Sequence, residues 1–272
     1  MRLALLQMTS GVDPEANKRA ILSAIADAKA GGADMLFTPE MSGLLDRNRK
    51  RATPNIVVED ESKMLSDICA AAKEHGLWVN LGSLALSSGE DDAKWVNRGF
   101  MIDDQGQIMS RYDKIHLFDV TLKTGEQWRE SSVYKRGEEV VLADTPWALI
   151  GLSICYDMRF ADLYTALSNA GARILSIPAA FTVPTGKAHW HVLLRARAIE
   201  SACFVVAAAQ RGSHADGRET YGHSLVVDPW GEVLLDMQGK IGLGYCDIDL
   251  AQVDDVRQQI PALANRQKIG KA

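Results

Sequence analysis

The chain has 272 residues, 47% apolar and 24% charged, an ordinary composition for a globular protein in water. Its net charge of -5, with no basic block, argues against nucleic acid as a partner. No apolar run approaches the ~18 residues of a membrane helix, and the N-terminal run, broken by Gln7, is too short for a signal-peptide core, so the protein is expected in the cytoplasm.

In chain order, "LALLQM" reads as a first buried strand, followed by a helix over 14–30 with Asp13 as its cap before Pro14. "DMLFTPE" is the next strand and ends on Glu40. A helical stretch from Lys63 to His75 leads to the strand "LWVNLGSLAL". "NRGFMID" and "IMSRYDK", separated by the turn residues "DQGQ", form a hairpin that ends on Lys114. "ALIGLSIC" runs to Cys155, and a helix-like segment through Tyr164 to Asn169 begins immediately after it. Beyond "ARILSIP" a helix is expected from about Lys187 to Ser201, with Trp190, Leu193, Leu194 and Ala198 on its core face. The strands "CFVVAAAQ", "HSLVVD", "EVLLDM" and "GLGYCDID" follow, with "DPWG" as a turn between two of them. With no repeat, low-complexity segment or dividing linker, the chain is expected to form one domain over 1–272. That is more strand than one central sheet easily holds. The α/β pattern therefore predicts two sheets packed face to face, with helices on both outer layers.

Four cysteines lie far apart, with no Cys-x-x-Cys pair, which argues against a zinc site or a thioredoxin-type dithiol. Cys69, Cys203 and Cys246 fall within helix or strand patterns and read as packing residues. Cys155 differs, because it stands where a strand meets the free N–H groups of a helix start, which favour a thiolate. Glu40 and Lys114 also end strands, and in open α/β sheets the ligand crevice lies outside the carboxyl ends of strands. A thiol with a pKa of ~8.5 needs a base at neutral pH. Glu40 could take its proton and later deliver one to a leaving amine. Lys114, with the N–H of Tyr156, could hold the oxyanion of a tetrahedral intermediate. The chemistry would be amide hydrolysis through a thioester. The same residues also allow a plainer arrangement, an exposed ion pair beside a half-buried cysteine.

The histidines carry less. His189 and His191, two apart on a helix, point to different faces and do not make a metal pair. His116 near Lys114 is expected to be hydrogen-bonded and structural, and Arg195 to Arg197 to pair with Glu200 or a subunit interface.

"FTPEMSG", "YDKIHLFD", "WRESSVYKRGE" and "GLSICYDMRF" strongly resemble the motifs of the nitrilase superfamily, the carbon–nitrogen hydrolases. The resemblance continues through "IPAAFTVPTGKAHWHVLLRARAIE", "YGHSLVVDPWGEV" and "DIDL", and so covers essentially the whole chain. It implies a four-layer αββα sandwich, a homodimer or higher homo-oligomer formed by extending sheets, a small-molecule amide substrate, and no metal or organic cofactor. It further implies Glu40 as general base, Lys114 as catalytic lysine, Cys155 as nucleophile and Glu130 as a second glutamate near the site. "FTVPTGKAHW" looks most like the branch that hydrolyses deaminated glutathione, to 2-oxoglutarate and cysteinylglycine. The alternatives are an ω-amidase acting on α-ketoglutaramate, a non-catalytic interaction module or a redox-sensing thiol protein. A substrate with carboxylates at both ends calls for cations and hydroxyls, and Tyr156, Arg159, Thr185 and Lys187 are the candidate substrate-binding residues.

Overall fold

The computed structural model describes residues 1–90, 94–121, 125, 127–267 and 270. The first part of the chain forms β1 (Arg2–Gln7), α1 (Pro14–Ala30), β2 (Met35–Phe37), the single turn α2 (Arg49–Ala52), α3 (Lys63–His75), β3 (Trp78–Ser87), β4 (Trp95–Ile102) and β5 (Ile108–Asp113). The middle contributes β6 (Asp119–Thr121), β7 (Gln127–Arg129), β8 (Leu142–Asp144), β9 (Leu149–Leu152), α4 (Ala161–Asn169), β10 (Ile174–Ser176) and α5 (Val183–Ser201). The last part supplies β11 (Phe204–Ala207), β12 (Arg211–Ser213), β13 (Glu219–Tyr221), β14 (Leu225–Val227), β15 (Val233–Asp236), β16 (Gly242–Asp247) and α6 (Ala251–Gln259).

Two six-stranded sheets, in the orders β16-β1-β2-β3-β4-β5 and β15-β14-β11-β10-β9-β8, make the centre of an α/β sandwich. β6–β7 and β12–β13 are separate two-stranded ribbons. Strand alternation sorts the first sheet's residues into two cores. Leu3, Leu5, Met35 and Phe37 join Ile150, Leu152, Ile174 and Val205 of the second sheet. Ala4, Leu6, Leu36, Val79 and Leu81 turn the other way and pack with Ile21 and Ile25 of α1 and Ile68 of α3. The second sheet is covered by Leu163 and Leu167 of α4 and by Trp190, Leu194 and Ala198 of α5. The layers are therefore helix, sheet, sheet, helix.

Local signals explain most boundaries. Asp13 accepts from the N–H groups of Glu15 and Ala16 and caps α1. Ser62 caps α3, which ends on Gly76 in the left-handed region. The hairpin turn between β4 and β5 places Gly106 at φ +76°. Two boundaries differ from expectation. α5 begins at Val183, a turn before Lys187, because Pro184 fits the first turn, where its missing N–H is not needed. After Cys155 the chain makes a 3-10 turn, Cys155–Arg159, and only then enters α4. Among the described residues no helix is long and apolar enough to cross a membrane.

Candidate active site

Three strand ends supply the site. Glu40 follows β2, Lys114 follows β5 directly, and Cys155 follows β9. The first two belong to one sheet and the third to the other, so face-to-face packing brings them together between the layers. The Glu40 loop is held by its backbone. Met41, at φ +56°, donates its N–H to Ser83 Oγ at 2.9 Å, and Gln210 Nε2 donates to the Glu40 carbonyl at 3.0 Å. Gly82 of β3 lies directly beneath, where a Cβ would sit 2.1 Å from the Thr38 carbonyl oxygen, so only glycine admits this approach.

The side chains form one buried charged cluster. Lys114 Nζ donates to Glu40 Oε1 at 2.9 Å and to Glu130 Oε1 and Oε2 at 3.1 and 2.9 Å. Asn97 Nδ2 bridges the same carboxylates, 2.9 Å from Glu40 and 3.4 Å from Glu130. Glu40 Oε2 accepts from the Ala180 N–H at 2.9 Å, and Glu130 Oε2 from the Phe118 N–H at 2.6 Å. Cys155 is buried beside this cluster, where the Glu40 carboxylate and the Lys114 ammonium both act on its thiol.

Cys155 is a non-glycine residue at φ +50°, a conformation that needs support from its surroundings. Its own N–H donates to the Pro178 carbonyl at 2.9 Å. Asp157 pins the turn from inside. Its Oδ2 accepts from the Ile154 N–H (2.8 Å) and the Tyr112 hydroxyl (2.7 Å), and its Oδ1 from the His116 N–H (2.9 Å) and ring Nδ1 (2.7 Å). The His116 ring stacks on Phe160 with centroids 3.7 Å apart, the structural role expected of it. Tyr156, second in the 3-10 turn, carries an N–H with no intrahelical acceptor.

Charge is fixed by these contacts. Burial pushes the Glu40 carboxyl up, but the Lys114 ammonium, the thiol and the Ala180 N–H hold it below the usual carboxylate value. Burial disfavours the Lys114 ammonium, yet the two carboxylates keep it well above the usual lysine value. Burial and the Glu40 charge push the Cys155 thiol well above its usual value, against the pull of Lys114. Whatever pull the free N–H groups of the turn exert toward a thiolate, burial and the Glu40 charge outweigh it. The resting thiol is neutral and its proton faces a carboxylate base.

These groups open onto a cavity of about 470 Å³. Tyr156 and Thr185 line it, as expected of substrate-binding residues. Arg159 does not. Its guanidinium lies 5.8 Å from the Tyr156 ring centroid and 5.3 Å from that of Phe181, with His189 at 3.4 Å. Lys187, exposed on the next turn of α5, is also outside the wall, because starting the helix at Val183 gives Thr185 the inward phase. Sequence reasoning missed Arg47, Arg129, Trp128, Phe181, Arg218 and Thr220 in the wall. It also missed Asn97 and Asp157, polar residues fully buried beside apolar strands, and that burial in an apolar run was their one legible signal. His189 and His191 point apart as expected, His191 toward Asp236 and His189 toward Arg159. Arg197 pairs with Glu200.

The carbon–nitrogen hydrolase family model matches residues 2–258. A deaminated glutathione amidase of Yersinia enterocolitica is 37% identical over 262 residues, 96% of this chain and 91% of that protein. The nitrilase and fragile histidine triad fusion protein NitFhit of Caenorhabditis elegans is 38% identical over 97% of this chain. Its crystal structure superposes with a TM-score of 0.90, covering 98% of this chain and 65% of that one. The chain spans 60% of the length of that relative. Nit3 of Saccharomyces cerevisiae, a member of branch 10 of the nitrilase superfamily, superposes with a TM-score of 0.86 at 25% identity, covering 96% and 94%.

Asp157→Asn would turn an amide N–H₂ toward donors that now meet an oxygen. A stability loss of about 2 kcal/mol and a fall in amide turnover of about a hundredfold from a displaced Cys155 are expected. Wild-type melting temperature and turnover in this variant would remove Asp157 as the anchor of the turn. Protonating Glu40 removes the base, so kcat/KM should decline only as pH falls below the ordinary carboxylate range. The neutral thiol should be alkylated slowly by iodoacetamide at neutral pH, with a rate that is still rising above the range in which an ordinary cysteine ionises. A flat alkylation profile would show a preformed thiolate instead.

Proposed function

The chain belongs to the carbon–nitrogen hydrolase family, and on that premise we propose that it is an amidase that cleaves deaminated glutathione to 2-oxoglutarate and cysteinylglycine. The observation that carries the chemistry is that Cys155, Glu40 and Lys114 share one cavity wall, with Lys114 ion-paired to Glu40 at 2.9 Å. Cys155 Sγ attacks the amide carbonyl carbon while Glu40 takes the thiol proton. The developing oxyanion is met by Lys114 Nζ and the Tyr156 N–H. Collapse breaks the C–N bond, and Glu40 returns the proton to the leaving amine of cysteinylglycine. Water then attacks the thioester, gives its proton to Glu40, and the second collapse releases 2-oxoglutarate and restores the thiol.

Glu130 acts through Lys114. Both of its oxygens are engaged by the ammonium, and the Phe118 N–H fixes one of them, so it aims the lysine. The wall suits a substrate with two carboxylates. Arg47, Arg129 and Arg218 supply guanidinium groups, and Thr182, Thr185 and Thr220 supply hydroxyls. Arg159 supports the wall through the Tyr156 and Phe181 rings. The cavity volume falls in the range of sites for drug-sized ligands. The relative named deaminated glutathione amidase supports the same substrate.

We read residues 1–272 as one hydrolase domain, acting in the cytoplasm, where a free thiol nucleophile stays reduced. It acts as a homo-oligomer. β15 is an edge strand with Val233 and Leu234 exposed, and Val192, Ile199 and Trp230 add exposed apolar surface from α5 and the turn before β15.

The function is tested by comparing deaminated glutathione with α-ketoglutaramate as substrates of the purified protein. The larger amide should be preferred, Cys155→Ala should abolish turnover while the fold is kept, and Glu130→Gln should lower kcat by about tenfold or more. A preference for α-ketoglutaramate would make the protein an ω-amidase, and full turnover in Glu130→Gln would remove that residue from the site. For assembly, sedimentation should show a dimer or larger species that Val192→Glu with Ile199→Glu dissociates. A wild-type monomer at micromolar concentration would overturn it.

A further inference from the structure

His191, His223 and Asp236 meet on the flank of α5, next to its core residue Trp190, and come from α5, the segment after β13 and β15. His191 Nε2 is 3.0 Å from Asp236 Oδ2, and His223 Nδ1 is 3.0 and 3.1 Å from Asp236 Oδ1 and Oδ2. One ligand atom from each residue lies within 4.8 Å of the others. Two imidazole nitrogens and a carboxylate oxygen are a donor set suited to zinc, which binds three such ligands and keeps a fourth position for water. A tetrahedral zinc with bonds of about 2.0–2.1 Å needs neighbouring donors about 3.3 Å apart. The two histidine–carboxylate spacings come within a few tenths of an ångström of that, and the two imidazole nitrogens lie within 4.8 Å of each other.

The ligands are built in from behind. His223 is held at φ +57°, in the left-handed region, by its N–H to the Gln238 carbonyl (2.9 Å) and by Trp190 Nε1 on its own carbonyl (2.8 Å). Tyr221 stacks on its ring, with centroids 4.2 Å apart. The Gln238 N–H donates to Asp236 Oδ1 at 2.8 Å and fixes the carboxylate. Such supports orient metal ligands. The side chains stay reachable, with exposures of 34% for His191, 23% for His223 and 24% for Asp236.

We infer that His191, His223 and Asp236 form a binding site for one divalent transition-metal ion of the zinc class, separate from the Cys155 cluster. On binding, the ring nitrogens that now face Asp236 bond the metal, and the one proton of each neutral ring moves to, or stays on, the nitrogen turned outward. The ion ties α5 to β15 and to the segment just after β13. Both α5 and β13 carry cavity-wall residues, Thr185 and Thr220, so the ion clamps one wall of the amide site without touching the reacting atoms.

The test uses the full chain, stripped with EDTA and titrated with Zn²⁺ against a chromophoric chelator. Wild-type protein and Cys155→Ala should each bind one equivalent, because the nucleophile is not a ligand. Asp236→Asn and His191→Gln should each weaken binding by more than about tenfold. Zn²⁺ should raise the melting temperature of the wild type and leave both variants where they were. His191→Gln changes a partly exposed side chain and decides the matter if Asp236→Asn fails to fold. No zinc bound by the wild type, undiminished binding in His191→Gln, or an equivalent lost in Cys155→Ala would overturn the site.

Discussion

The structure turns on one ammonium group. Lys114, with 3% of its side chain exposed, sits in a space where an unpaired charge costs several kcal/mol. Two carboxylates answer it, and together they carry one negative charge more than it can neutralise. That surplus sets the chemistry. A thiolate beside it would add a second uncompensated charge, so the sulfur keeps its proton until a carbonyl is there to take the electrons. Glu40 stays ionised because the Lys114 ammonium and the Ala180 N–H hold its carboxyl down, and the base is ready before the substrate arrives. Removing Lys114 would leave two carboxylates buried without their counter-ion, at a cost of about 3–5 kcal/mol.

Holding those charges requires backbone that few sequences allow. The Glu40 loop is approached by β3 only because residue 82 has no side chain, and Met41 and Cys155 both occupy left-handed conformations. Asp157 binds the nucleophile's turn to Tyr112 at the end of β5 and to His116 beyond it, so the elements bearing Lys114 and Cys155 are fastened to each other. Burial and the Asp157 charge raise the Tyr112 phenol well above its usual value, which keeps it a donor to that carboxylate.

Much of this was legible in the sequence. Period-two runs located the strands, Asp13 and Pro14 fixed the start of α1, and the surplus of strands over one sheet indicated two layers. Glu40, Lys114 and Cys155 could be singled out because each ends an apolar run. What stayed hidden depends on contacts across long stretches of chain. Asp157 finds Tyr112 45 residues away, and Asn97 finds Glu40 across 57. The turn start after Cys155 suggested a pull toward the thiolate, but a local reading omits the burial and the carboxylate from the other sheet that push the thiol the other way. Lys187 was favoured because the expected helix starts at it, whereas α5 begins four residues earlier and Lys187 lies a turn in, exposed. The Thr-Val-Pro sequence at 182–184 held the missing cue.

The cavity has a division of labour that bears on how such a protein can change. Its reacting groups hang from strand ends fastened by the core, whereas much of its rim comes from connecting segments such as 44–47 and 132–134. Connecting segments tolerate replacement far better than packed strands. The rim can therefore drift toward new acyl groups or leaving amines while the sulfur, base and ammonium stay in register. In evolutionary terms the molecule is a fixed engine with an exchangeable mouth.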